Sequence, residues 1–173
     1  MEWQIEMLGS KIILTMFQYD HHVNHRLIEL AMQVKPEEWD APNVAGLRSL
    51  HETLFHLLVV GEEYLSLCLL GEPIWESRLF EDYLDADSLR VLNDSIHETY
   101  LPLLERLTDD QLTSRVTALM PSGRVESVMI WHLLLHSLYH SAQHRSECAS
   151  MLTKYGFSPG FIDFYGFGSW GAE

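Results

Sequence analysis

Residues 131–145 read WHLLLHSLYHSAQHR. Four histidines recur at every fourth position, with apolar residues between them, and this spacing is typical of one long α-helix. We predict that the helix runs from about Val128 to Lys154 and ends before Gly156. Successive histidines are rotated by about 40° and rise by about 6 Å, so two neighbours can bind one cation but all four cannot.

Two further helices are predicted upstream from apolar residues spaced three and four apart. The first covers Ile5–Val34, with a Gly-Ser pair that weakens its first turns, and Pro36 is expected to end it. The second covers about Leu47–Leu70. It contains a Ser-x-x-Glu pattern from Ser49 to Glu52, which predicts a capping box near its start.

A third upstream helix should run from a cap at Asp87 or Ser88 to Leu107. Pro102 lies inside this pattern and is expected to kink the helix or split it in two. A Pro-Ser-Gly turn within residues 115–128 predicts a small two-stranded hairpin before the last helix. The sequence thus predicts an all-α, four-helix-bundle fold, and bundle cores build metal and ligand sites from facing helices.

Size and charge limit the class of protein. The 173 residues (20.0 kDa) are 47% hydrophobic, which fits one domain over residues 1–173. Eleven basic against 25 acidic residues give a net charge of -14, which argues against binding to nucleic acid or to a membrane surface. Two cysteines, no long apolar run and an acidic start at Glu2 and Glu6 lead us to expect a soluble, cytoplasmic protein without a signal peptide.

The C-terminal segment, residues 157–173, is rich in aromatic residues and glycine. It is expected to pack over the bundle or against a partner. Bundles of this size often bury an outer helix face across a two-fold axis, so we expect a homodimer.

Ten histidines make metal binding the most informative hypothesis. One helix supplies two ligands, and a catalytic zinc or nickel site needs a third protein ligand from elsewhere. The second helix offers His51 and His56, which differ by about 140° in azimuth, so only one can face the last helix. His56 lies within the apolar pattern, whereas His51 near the helix start is expected to be closer to solvent. The predicted ligands are His56, His140 and His144.

The remaining candidates lie outside the predicted triad. His132 is expected at the helix start or on the surface, and Cys148 as a buried thiol. A structural rather than catalytic metal site would be closed by a fourth ligand, for which His136 or Cys148 are the candidates. Three histidines cluster on the first helix, where one of them could line the mouth of the site; they are His21, His22 and His25. His97 has no predicted partner.

Three stretches resemble the DinB/YfiT-like metalloenzyme superfamily over nearly the whole chain. They are YDHHVNHRL at 19–27, LFH at 54–56 followed by GEP at 71–73, and LHSLYHSAQHR at 135–145. His22 stands where the family commonly has tryptophan. Near the last histidine, the departures from the family signature are Tyr139, Gln143 and the pair Ser146-Glu147.

The resemblance implies an up-down-down-up bundle with a hairpin before the last helix. It also implies a divalent metal on His56, His140 and His144. Similar proteins keep an aspartate at the place of Asp163. Members with known chemistry use low-molecular-weight thiols, which implies a thiol-dependent S-transferase acting on a small-molecule electrophile.

The metal explains this chemistry. Three neutral imidazoles leave the cation its full charge, so a coordinated thiol loses its proton well below its free pKa of about 8.5. The same centre could activate water for hydrolysis, and the reacting group is therefore either a metal-bound thiolate or water. A non-catalytic, metal-binding stress-response dimer is the third alternative. Possible pocket-lining residues are Tyr19, His22, Glu62, Tyr64 and His136.

Overall fold

The computed structural model describes residues 9–42 and 48–169 of the chain. Four long helices and two short ones account for most of it, together with one hairpin and two 3₁₀ turns. In chain order the elements are α1 (Gly9–Ala31), α2 (Pro36–Trp39), α3 (Leu50–Leu70), a 3₁₀ turn (Phe80–Asp82), α4 (Ala86–Arg106), α5 (Asp109–Thr113), β1 (Arg115–Leu119), β2 (Val125–Met129), α6 (Ile130–Lys154) and a second 3₁₀ turn (Phe164–Ser169). The predicted all-α bundle with a small hairpin is confirmed.

The four long helices pack in the cyclic order α1, α4, α3, α6, because α1 and α3 each pack against both α4 and α6. Contacts between elements set the directions: α3 runs antiparallel to α6, and α1 runs antiparallel to α4. The contacts that show this are His56 with His140, Cys68 with the Ile130 carbonyl, His21 with Asn93, and Ser10 with Asp109, which begins α5 just beyond the end of α4.

α3 and α4 run parallel, so the chain between them must return along the whole bundle. This crossover retraces α3 from its end to its beginning. Arg78 pairs with Glu62 in the middle of α3, and the Tyr83 carbonyl meets His51 in its first turn. The result is the expected up-down-down-up topology, in which the second and last long helices are antiparallel neighbours.

Local sequence signals marked both ends of α3 correctly, because a single residue dominates each end. Ser49 caps α3, and its hydroxyl accepts a hydrogen bond from the Glu52 backbone while the Glu52 carboxylate accepts from the Ser49 backbone. Gly71 ends α3 at a φ of 73°, a left-handed conformation that favours glycine. The strands of the hairpin pair in register from Arg115 with Met129 to Leu119 with Val125.

The start of α4 was predicted wrongly, and of the two effects expected of its proline the structure excludes the split. Asp85, rather than Asp87 or Ser88, is the cap, and Ser88 is its capping-box partner. α4 continues through Pro102 without splitting. The proline removes only the hydrogen bond to the Glu98 carbonyl, and because both residues are exposed, water can donate to that oxygen instead.

The end of the first helix also differs from prediction, since α1 stops at Ala31 rather than Val34. Pro36 then begins the short helix α2, where its missing N–H costs no helical hydrogen bond. The predicted helical residues 5–8 and 47 lie outside the described part of the chain.

The C-terminal segment packs on the bundle, the first of the two expected arrangements. The Tyr19 hydroxyl donates to the Ile162 carbonyl at 2.8 Å. The Tyr19 ring also meets the rings of Phe164 and Phe167 edge-on, at centroid distances of 5.1 and 5.6 Å. This segment therefore covers one face of α1.

By length and composition α3 is the one helix, among the described residues, that could cross a membrane, with a mean hydropathy of 1.5. Sixty-one per cent of that apolar window is buried inside the bundle. Packing against α4 and α6 therefore accounts for its apolar character, as in the core helix of a soluble bundle.

Candidate metal centre

Three imidazoles meet where α3 crosses α6. His140 lies in the middle, with its Nε2 3.2 Å from His56 Nε2 and 3.1 Å from His144 Nε2. The potential ligand atoms of all three residues lie within 4.8 Å of one another. The structure thus brings together the three histidines that the sequence analysis selected.

These separations match what a tetrahedral metal ion requires. Metal–nitrogen bonds of about 2.0–2.1 Å at tetrahedral angles place two nitrogen ligands about 3.3 Å apart. Hydrogen bonding among the rings explains the geometry less well, because a single proton on His140 Nε2 can be donated to only one of its two neighbours. The donor set therefore fits a bound divalent cation.

The electrostatic surroundings keep two of the rings neutral. Burial, followed by the nearby guanidinium of Arg48, lowers the pKa of His56 to about 4. Burial, followed by the imidazole of His144, lowers the pKa of His140 to about 4. Neutral imidazoles offer free lone pairs, so protons compete weakly with a metal at these nitrogens near neutral pH.

Glu147 is a site residue that the sequence analysis missed. Its Oε2 lies 2.7 Å from Nδ1 of His144. A carboxylate in this position holds the proton on Nδ1, which leaves the lone pair on Nε2 facing the other two histidines. The signal was available, since residues three apart on one helix are neighbours, but only knowledge of which histidine binds metal would have singled it out.

His136 and Glu62 lie on the same two helices as the triad. His136 is exposed, and its ring centroid is 6.5 Å from that of His140. The buried Glu62 carboxylate accepts two hydrogen bonds from the Arg78 guanidinium, at 2.7 and 2.9 Å. Glu62 therefore holds the crossover against α3.

Two first-helix candidates, Tyr19 and His22, face the C-terminal segment. Tyr19 lies beneath Phe164 and Phe167, and the Arg145 guanidinium is 5.0 Å from the centre of its ring. His22 is exposed, with its ring 6.0 Å from that of Phe167. Asp163, also in this segment, is exposed, and its carbonyl accepts from the Gly166 backbone.

The expectation that His51 lies close to solvent was wrong, because only 3% of this residue is exposed. Its Nδ1 lies 2.8 Å from Asp40 Oδ1, its Nε2 contacts the Tyr83 carbonyl, and its ring stacks on Trp39. α2 and the crossover cover the start of α3, and neither arrangement could be read from the sequence around His51. This histidine is a buried structural residue away from the triad.

His97 has a partner that was not predicted. Its ring stacks on that of His21, with centroids 3.8 Å apart and planes within 11° of parallel. Asn93 contacts His21 Nδ1 at 3.0 Å. Burial, followed by the His97 imidazole, lowers the pKa of His21 to about 4.

These residues border a cavity of about 50 Å³, lined by none of the triad histidines. It lies among the four long helices, and Gly61 of α3 forms part of its wall. The cavity is therefore distinct from the three-histidine cluster.

Two side chains of α6 behave as expected. His132 is exposed in the first turn of α6. Cys148 is fully buried, and burial raises the pKa of its thiol far above the ordinary value. It is the inert core residue that was predicted.

A buried ion pair next to the triad joins α6 to α1. Asp20 accepts hydrogen bonds from Arg145, from the Ser141 hydroxyl at 2.6 Å and from the Asn24 amide at 2.9 Å. Arg145 directly follows His144 in α6, so this network fixes the rotation of the turn that carries the triad histidine.

Two solved structures from Bacillus subtilis share the fold. A DinB-like protein, YjoA, is 19% identical, with a TM-score of 0.68; the match covers 88% of this chain and 96% of that one. YfiT, described as a probable metal-dependent hydrolase with an unusual four-helix bundle topology, is 18% identical, with a TM-score of 0.66 and coverage of 91% and 94%. At these identities the similarity shows the fold alone.

A comparison with curated proteins gives no match. The model of the DinB family, in contrast, matches residues 7–172, nearly the entire sequence. Together with the bundle topology and the position of the three histidines, this match shows that the chain belongs to the DinB family.

Proposed function

We propose that the protein is a divalent-metal-dependent enzyme whose cation, zinc or nickel, is held by His56, His140 and His144. The observation that carries the proposal is the convergence of three Nε2 atoms at spacings of 3.1 and 3.2 Å. Imidazole ligands suit zinc and nickel, whereas magnesium and calcium prefer oxygen.

The ligand count favours a catalytic site over a structural one. Within the described residues, three side chains of the metal-binding types lie close enough to share one ion, and all three are histidines. Cys148 lies one turn beyond His144 but is enclosed in the core, and Glu147 contacts the opposite nitrogen of His144. Three protein ligands with one position left for substrate is the arrangement of catalytic zinc sites.

We propose a thiol-dependent S-transferase activity on small electrophiles. When bound, the cation supplies a Lewis acid that lowers the pKa of a coordinated thiol or water molecule. The chain's own task is to hold the cation with neutral ligands, which leaves its charge uncompensated, and to fix His144 through Glu147.

A thiol suits this site better than water does. A thiol has a free pKa of about 8.5 and needs only a small shift to ionise near pH 7, whereas water starts from about 15.7 and needs the full lowering to about 7 that a catalytic cation supplies. Many metallohydrolases add a carboxylate base. In the described part of the chain, the carboxylate that contacts the triad is that of Glu147. It is already hydrogen-bonded to His144 Nδ1, so it is not placed to act as the base for water.

Hydrolysis is the second candidate, because the fold relative YfiT is described as a probable metal-dependent hydrolase. The two activities separate in one assay. Purified metal-loaded protein is given a thiol and a chromogenic electrophile, such as 1-chloro-2,4-dinitrobenzene, or an ester in place of the electrophile. We expect conjugation that is abolished in His140→Ala, while ester cleavage without conjugation would favour the hydrolase.

Metal content tests the site itself. We expect about one divalent ion per chain in the purified protein, and a loss of that ion in His56→Ala, His140→Ala and His144→Ala. His132→Ala is the matched control, since it removes an exposed histidine from the same helix. Unchanged metal content in His140→Ala and His144→Ala would show that the cluster is not a metal site.

Homodimer formation and cytoplasmic location stay predictions. Size-exclusion chromatography with light scattering tests the first. A monomeric mass at micromolar concentration would contradict it.

A further inference from the structure

The cavity between the four long helices, bordered by the stacked rings of His21 and His97, has features of a binding site of its own. Its volume is about 50 Å³, and it is partly open to the surface, so a small molecule can enter it. At about 10–15 Å³ for each water-sized group, this volume holds about four non-hydrogen atoms. None of the triad histidines lines the cavity, so it does not belong to the metal centre.

A glycine in the middle of α3 leaves this space open. Leu57, Gly61 and Leu65 are spaced four apart and all line the cavity, so they lie on the face of α3 that borders it. No atom lies within 4 Å of a Cβ placed on Gly61. Glycine is a poor helix former compared with alanine. α3 therefore has its weaker helix former at the point where a side chain would reduce the cavity.

A buried oxygen without a partner lines the same cavity. Asn24 is only 3% exposed, and its Oδ1 atom has no hydrogen-bond partner among the described residues. The orientation of the amide is fixed, because its Nδ2 donates to the Asp20 carboxylate at 2.9 Å and a carboxylate can only accept. A buried carbonyl oxygen without a donor is costly, so Asn24 Oδ1 is suited to hold the O–H or N–H group of a ligand.

The cavity has a polar end and an apolar end. α1 and α4 are antiparallel, and their polar lining residues meet where Asn93 contacts His21. Phe17 precedes His21 on α1, and Leu104 follows Asn93 on α4, so both apolar residues lie towards the opposite end. A ligand with its polar atom at Asn24 would therefore direct its carbon atoms towards Phe17 and Leu104.

The charge at the polar end is balanced. The Asp20 carboxylate pairs with the Arg145 guanidinium. The His21 imidazole is neutral near pH 7, because burial, followed by the neighbouring His97 ring, lowers its pKa to about 4. A charged ligand would lose its hydration here without gaining a counter-charge, whereas a neutral donor would gain a hydrogen bond at a smaller cost.

We propose that this cavity is a second binding site, which takes a neutral molecule of about four non-hydrogen atoms with one hydroxyl or N–H donor, such as a short-chain alcohol. The donor binds Asn24 Oδ1, and the carbon atoms fill the space that Gly61 leaves open. The inference does not depend on the proposed function, because no triad residue lines the site.

Three probes of equal size test the proposal. Isopropanol carries a neutral donor, acetone has the same skeleton without a donor, and isopropylammonium carries a charge. Binding to the isotope-labelled, full-length protein is followed by NMR titration from the backbone amide signals of the residues that line the cavity. We expect saturable binding of isopropanol, with acetone and isopropylammonium at least about tenfold weaker.

Two variants locate the site. Gly61→Ala should weaken isopropanol binding by at least about tenfold, since the added methyl group takes up space that the ligand needs. It leaves every polar group in place and should fold, because alanine is the better helix former. Asn24→Ala removes the acceptor and should abolish the preference for isopropanol over acetone. Gln33→Ala is the matched control, because Gln33 is an exposed amide outside the cavity, and it should keep that preference.

His140→Ala separates this site from the metal centre, since the oxygen atom of a probe could also coordinate a cation. Isopropanol should still bind to this variant, and a loss of binding would place the probe on the metal and overturn the cavity proposal. The proposal also fails if no probe binds saturably, if acetone binds as tightly as isopropanol, or if Gly61→Ala keeps the wild-type affinity. None of these results alters the metal content, and absence of a metal would leave the cavity proposal intact.

Discussion

Replacing Glu147 with glutamine should weaken metal binding without removing a ligand. The carboxylate lies 2.7 Å from His144 Nδ1, and the two side chains are 28% and 7% exposed. Glutamine keeps nearly the same shape and can still accept the Nδ1–H hydrogen, but it lacks the charge that makes the imidazole a stronger donor to the cation.

The size of the effect follows from this geometry. Removing an outer carboxylate from a metal-binding histidine costs about 10- to 100-fold in affinity. Because glutamine retains the hydrogen bond, we expect Glu147→Gln at the lower end, about tenfold or about 1.4 kcal/mol, and Glu147→Ala nearer the upper end.

The assay is competition for zinc with a chromogenic chelator of known affinity at pH 7. Glu105→Gln is the matched control, since Glu105 is an exposed glutamate in the last turn of α4. Equal affinities for wild type and both Glu147 variants would refute the role given to the carboxylate. An equal weakening in Glu105→Gln would assign the effect to net charge.

Three further predictions concern stability. Asp20→Ala should lower the free energy of unfolding in urea by about 3–5 kcal/mol, because the buried Arg145 loses its counter-charge. Gly61→Ala should raise it by about 1 kcal/mol, since alanine is the better helix former and no atom lies within 4 Å of the added Cβ. In metal-free protein, the free energy of unfolding should fall as the pH drops from 6.5 towards 4. Over this range the unfolded chain binds a proton at His21 that the folded protein takes up only near pH 4, so His21→Asn should flatten the fall.

Each of these has a control of the same residue type. Asp110→Ala removes an exposed aspartate and should change stability by less than about 0.5 kcal/mol. Gly71→Ala should destabilise, because Gly71 has a φ of 73°. His132→Asn should leave the pH profile unchanged. A stable Asp20→Ala, a destabilised Gly61→Ala or an unaltered slope in His21→Asn would each contradict the corresponding argument.

The sequence predicted what depends on residues close along the chain. The histidine row predicted α6, and the Ser-x-x-Glu pattern predicted the cap at Ser49. The cap of α4 was harder because Asp85, Asp87 and Ser88 are all good capping residues. The choice depends on where the chain leaves its extended conformation, and that is Asp85, at φ -141° and ψ 169°.

The contacts that His51 and His21 make with distant segments were beyond the sequence. His51 resembles an exposed first-turn residue until α2 and the crossover fold over it, and only then do Asp40 and Tyr83 become its partners. His21 and His97 stack although 76 positions separate them, and neither has an apolar or charge pattern that predicts the other.

The choice of His56, His140 and His144 depends on helix register as much as on residue type. His56 and His140 meet because α3 and α6 are antiparallel neighbours, and moving α3 by one turn would bring Glu52 or Val60 to that place instead. The Asp20–Arg145 pair fixes the rotation of α6, and the Glu62–Arg78 pair holds the crossover that makes the topology possible. A metal bound by the triad would favour this register over its alternatives, since ligands from two helices stabilise only the arrangement in which they converge.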